Sequence, residues 1–184
     1  MNPKGVVSNG ESIRPLMVVV GGMVLTGLIV TLITAPLSAL LGGSRYALEG
    51  TLHGVAAGLL MITVTIGLFQ AYRLLTGTVQ HSAQLEFGGV VNACLAFLTI
   101  LFGNRIYIFY RAQGGPRSYF MENMPQIHKI FFEFKEFVAL FTLPLAVVAA
   151  FLFLVYRDQL LRSKGLRTMA AILLALTFSI SLHN

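Results

Sequence analysis

PQIHKIFFEFKEFVALFTLP, residues 125–144, opens the longest hydrophobic segment of the chain, and its reading decides how the rest is read. The second half runs on without a charge to Tyr156, while the first half carries His128, Lys129, Glu133, Lys135 and Glu136. Ionisable groups at a membrane entrance are costly to desolvate, so they either snorkel to water or serve a function. We read residues 125–156 as one membrane segment with a charged, interfacial first half and a true apolar span from about Phe137.

Composition extends that reading to the whole chain. Of 184 residues, 56% are hydrophobic and 11% are charged; a soluble domain carries about a quarter charged residues. Mean hydropathy is +0.79. So little charge cannot cover a water-exposed surface, which predicts an all-α integral membrane helix bundle. A net charge of +6, from 13 Lys and Arg against 7 Asp and Glu, belongs at lipid headgroups, because no basic run with interleaved aromatics suggests nucleic acid. The one cysteine, Cys94, excludes an internal disulfide and a cysteine-based zinc or iron–sulfur site in this chain, and its apolar surroundings predict core packing. With no tryptophan, an interfacial aromatic belt must use Tyr and Phe.

Residues 1–14 read as a polar tail and 15–184 as a single transmembrane domain, with about five spans over 16–41, 52–72, 87–102, 125–156 and 168–182. The first run exceeds a signal-peptide core of about 7–15 residues, so it is expected to be a retained span. Pro36 and Pro144 predict kinks or ends. Gly54 and Gly58 form a small-xxx-small pair that allows close helix approach. Asn123 is a candidate cap for the fourth segment, with Pro125 in its first turn. The fifth run is at the short limit for crossing about 30 Å of hydrocarbon. The compact basic hairpin at 157–167 favours a cytoplasmic N-terminus by the positive-inside rule.

Chemistry, if present, rests on few side chains. His53 starts the second span and His128 the fourth; these run in the same direction, so the spacing predicts both imidazoles near one membrane face at matched depth. Two such histidines are what a bis-histidine b-type haem requires. Gly50, Gly54 and Ala57 leave room beside His53, and Arg45, Arg105 or Arg111 are candidate propionate partners. His81 reads as a loop residue and His183 as a reserve ligand near the end of the fifth span. Glu49 and His53 stand four residues apart, and Lys129 and Glu133 form a candidate i,i+4 pair. No Glu-x-x-His pairs of a di-metal bundle occur, so no metal site is expected. Asn92 and the threonines at 63, 65 and 99 are expected to bond between helices. Phe131, Phe132, Phe134, Phe137 and Phe141 read first as lipid or helix packing. Nucleotide, serine-hydrolase and zinc-protease motifs are absent.

The layout resembles that of small membrane cytochrome b subunits at the level of architecture. The expectation is a small subunit of a respiratory or photosynthetic type electron-transfer complex, without independent catalysis, holding haem b between His53 and His128 near a quinone-accessible interface. Its other partners would be the lipid bilayer and neighbouring membrane subunits, with no nucleic acid. The alternative is a cofactor-free structural or assembly subunit; a small channel or carrier ranks below both, because no polar track runs through the apolar centre.

Overall fold

The computed structural model describes residues 9–41 and 43–182, and only the backbone at 9–16 and 18. Every regular element among them is helical: α1 (Asn9–Leu40), α2 (Arg45–Thr76), α3 (Ala83–Arg111), α4 (Pro116–Asn123), a π-helical turn (Ile127–Phe132), α5 (Glu133–Ala139), α6 (Thr142–Val155), α7 (Arg157–Leu160) and α8 (Lys164–Ser181). Among the described residues, five stretches are long and apolar enough to span a membrane: Val19–Leu40, Arg45–Thr76, Ala83–Arg111, Ile127–Val155 and Lys164–Ser181. The chain is thus an all-helical, multi-pass membrane bundle. His183 lies outside the described residues.

Local chemistry fixes the helix ends. The Ser44 hydroxyl accepts from the Ala47 N–H at 3.1 Å and starts α2 seven residues before its apolar run. Gly77, at φ +71°, ends it: the Thr78 N–H reaches the Arg73 carbonyl and the Gly77 N–H reaches that of Leu74. This paired closure needs a left-handed residue, and glycine adopts that conformation without a Cβ clash. Ser163 caps α8 in the same manner as Ser44. Pro144 cannot donate to the Leu140 carbonyl, and the helix breaks at Leu140–Phe141, between α5 and α6, as its position predicts. Pro36, by contrast, does not end α1, which continues to Leu40. Asn123 does not cap the next helix either; it closes α4, donating from Nδ2 to the Tyr119 carbonyl.

The core is where α2, α3, α6 and α8 meet, with α1 packed against α2, α3 and α6 from outside. Its contacts are rich in alanine: Ala93, Ala96, Ala146, Ala149, Ala150, Ala170 and Ala171 are all buried. Lipid tails are as apolar as leucine, so helices in a membrane gain by close backbone approach, which small residues permit. At Gly89 a Cβ would stand 2.7 Å from the Phe153 ring and 3.1 Å from the Ala150 Cα. Many of the larger apolar side chains point outward, among them Leu32, Phe69, Phe87 and Phe137.

Several expectations change here. Gly54 and Gly58 do not mediate helix packing: both are exposed and a Cβ at either meets nothing within 4 Å. Cys94 is exposed on the outer surface of α3, not packed in the core. Thr63, Thr65 and Thr99 donate to carbonyls of their own helices, at Leu60, Met61 and Leu95, not across helices. Asn92 is buried, and its Oδ1 has no hydrogen-bond partner among the described residues.

Candidate functional site

Three polar features gather at one end of the bundle, where α1 and α3 finish and α2 begins. The deepest is ionic. Glu49, one turn inside α2, is 1% exposed and accepts from Arg45 Nε at 2.9 Å and from Arg105 Nη2 at 2.7 Å. Arg105 belongs to α3 and also donates to the Thr31 and Thr34 hydroxyls of α1, at 3.2 and 2.9 Å. A carboxylate this buried needs paired charge, and these bonds tie three helices together. Arg105 was expected at the interface as a propionate partner; it is buried instead and its donors face Glu49, Thr31 and Thr34. Arg45 is the outer member of the same cluster. Arg111 is exposed, donates to the Tyr107 hydroxyl at 2.9 Å and lies over that ring, 4.5 Å from its centroid.

Beside this cluster is a cleft of about 270 Å³ between α2–α3 on one side and the π-turn with α5 on the other. His53 and Tyr107 face it from the first wall, with Asn104 at their side; Phe132, Lys135 and Glu136 face it from the second. Ile100, Ala139 and Leu140 make the remainder apolar. His53 Nδ1 lies 2.9 Å from the Thr99 carbonyl. A carbonyl only accepts, so Nδ1 carries the hydrogen and the neutral ring leaves Nε2 with a free lone pair. Gly103 lets the imidazole lie this close to α3: a Cβ there would stand 3.3 Å from His53 Cε1. Neither Gly103 nor the Thr99 carbonyl stands out in the sequence. The only trace is the four-residue spacing of two small residues on one helix face.

The third feature is His128. Its side chain is fully buried against the rings of Tyr110 and Phe132, and Phe120 packs on both of those rings. Nδ1 is 2.9 Å from the Tyr110 hydroxyl, and Nε2 faces Glu133 Oε1 at 3.6 Å. The expected Lys129–Glu133 pair is not made; the wide π-turn carries Glu133 toward His128 instead. The structure therefore does not bring the two histidines together. His53 meets α3 at Thr99 and Gly103, while His128 meets it at Tyr110; Gly103 to Tyr110 is about two turns, or roughly 10 Å along the axis. Phe132 stands between His128 and the cleft. The matched depth expected from the sequence is not found, because the π-turn and the length of α3 beyond Phe102 set the register, and neither is visible in hydropathy.

His81 is an exposed loop residue, as expected. Among the described residues no three His, Cys, Asp or Glu side chains converge as metal ligands. Comparison with protein-family models, curated proteins and solved structures finds no match to this chain.

Proposed function

We propose that the protein is a small membrane subunit of an electron-transfer complex, and that its interfacial cleft takes the head of a quinone-class ligand. The observation that carries this reading is the cleft lining: the free lone pair on His53 Nε2, the Tyr107 hydroxyl, and Lys135 and Glu136 of opposite sign around an apolar floor. The paired charges favour a neutral ligand with hydrogen-bonding ends over an ion. A quinone offers carbonyls to Lys135, and its reduced form offers a hydroxyl to His53. The volume is near the lower end of small-molecule sites, about 300–1,000 Å³, and suits a ring with part of a tail. Exposed Phe137, Leu140 and Phe141 beside the second wall give an apolar tail a path toward lipid.

A haem-bearing form of this reading has one observation in its favour. His53 is held through Nδ1 by a backbone carbonyl, which leaves Nε2 bare, as in an axial imidazole. The axial stagger of the histidines and the position of Phe132 weigh against both binding one iron.

Titration of the purified protein in nanodiscs with a short-tailed benzoquinone, followed calorimetrically, tests the proposal. One saturable site is expected, and Gly103→Val and His53→Ala are each expected to weaken it about tenfold or more, a loss of about 1.4 kcal/mol. Absence of saturable binding, with no haem bands in a reduced-minus-oxidised spectrum, would leave the cofactor-free structural subunit as the better reading.

A further inference from the structure

The cleft does not use His128, yet burying this imidazole against the Tyr110 and Phe132 rings is costly unless its nitrogens are satisfied. One is: the Tyr110 hydroxyl, on the adjacent helix, stands 2.9 Å from Nδ1. The other, Nε2, is without a hydrogen bond and faces Glu133, whose side chain is 49% exposed. Backbone geometry creates this second contact. In an α-helix, residues five apart point about 140° away from each other. Here the chain is wound as a π-helix, in which the Glu133 N–H bonds the His128 carbonyl and the two side chains come onto one side. Such wide turns recur at functional sites.

The result is a line of three ionisable groups, from a buried phenol through a buried imidazole to a carboxylate in water. We propose that Tyr110, His128 and Glu133 form a proton relay in which His128 carries protons between the buried Tyr110 phenol and the membrane surface. With Glu133 ionised, Nε2 carries the ring hydrogen, and Nδ1 accepts from the Tyr110 hydroxyl. Outward transfer moves the Tyr110 proton to Nδ1 and the Nε2 proton to a Glu133 oxygen. The products are tyrosinate, neutral imidazole in its other tautomer, and protonated Glu133, which releases its proton to water. The reverse hops restore the start. No electron is exchanged, and the negative charge passes from Glu133 to Tyr110. The relay requires the half-exposed carboxylate to rotate and close the 3.6 Å gap to hydrogen-bond length. The charged groups near enough to act on Tyr110 are Glu133, Glu136, Arg111 and Arg117. Burial and the Glu136 and Glu133 carboxylates oppose the tyrosinate, while Arg117 and Arg111 favour it. This relay stands on its own geometry, whatever fills the cleft.

The test is a stopped-flow jump to alkaline pH on the full chain in nanodiscs, read by tyrosinate ultraviolet absorbance, with Tyr110→Phe identifying the Tyr110 phase. General acid–base groups contribute about 10²–10⁴-fold, so Glu133→Gln is expected to slow that phase by about a hundredfold while keeping its amplitude. Glu133→Asp is expected to restore most of the rate. Glu133 is on the surface, so neither variant threatens the fold. Nitrogen-15 NMR is expected to show the His128 ring protonated at Nε2 and bare at Nδ1 near neutral pH. An unchanged rate in Glu133→Gln, or the opposite tautomer, overturns the relay.

Discussion

Glu49 shows how much one side chain can decide inside an apolar bundle. It is the acid that Arg105 bonds, and Arg105 in turn holds the two hydroxyls of α1. Removing one member of a buried pair leaves the other charged and unpaired, at a cost of about 3–5 kcal/mol. Glu49→Ala is therefore expected to lower stability by about that amount in thermal or denaturant unfolding in detergent. Replacing both partners, as Glu49→Leu with Arg105→Leu, is expected to recover most of the loss, because no uncompensated charge remains. If the double variant is as unstable as the single one, the cost lies in the α1 contacts and not in the charge. Arg45, half exposed, is screened by solvent and is expected to matter far less.

At the scale of elements, the tightest place in the bundle is the crossing of α3 and α6 at Gly89. Gly89→Ala presses a Cβ against the Phe153 ring and the α6 backbone; overpacking of this kind costs about 1–3 kcal/mol. Gly54→Ala meets open space and is expected to be neutral or to gain up to about 1 kcal/mol from reduced backbone freedom. Unfolding of both variants side by side checks the contrast; equal effects would mean that α3 and α6 do not cross as described. The sequence alone does not rank these glycines, since Gly89 with Ala93 has the same small-xxx-small spacing as Gly54 with Gly58. Spacing shows that a face is smooth, not what lies against it. The existence and order of the five spans were legible because each must satisfy its backbone internally and present apolar side chains to lipid. Pro144 was legible too, through the hydrogen bond it cannot make. The Glu49–Arg105 bond and the Tyr110–His128 pair were not, because they depend on the axial register between helices, which hydropathy does not encode. IHKIFF carries no glycine or proline to announce a widened turn.

At the scale of the molecule, five alternating spans place the 77–82 and 156–163 connections on one side and the 112–126 connection on the other. By the positive-inside rule, the basic residues at 157–167 predict a cytoplasmic position for the first side, and labelling tests it. In a variant with Cys94 replaced, single cysteines at Val79 and Gln159 are expected to be shielded from an impermeant thiol reagent in intact cells. One at Gln113 is expected to react; the reverse pattern inverts the orientation and moves cleft and relay to the other compartment. The π-turn has a further consequence for the chain as a whole. It holds one residue more than a regular turn would, so it behaves as an insertion that the fold has absorbed. Deleting Lys129, an exposed residue within it, would let the helix close to ordinary pitch. Everything from Glu133 to the Pro144 break would then turn by about 100° relative to α3. Lys135 and Glu136 would leave the cleft, and Glu133 would leave His128, without any of the three being altered. A chain one residue shorter here could keep all its spans and still lose both sites, so the length of this segment is as much a part of their definition as the side chains.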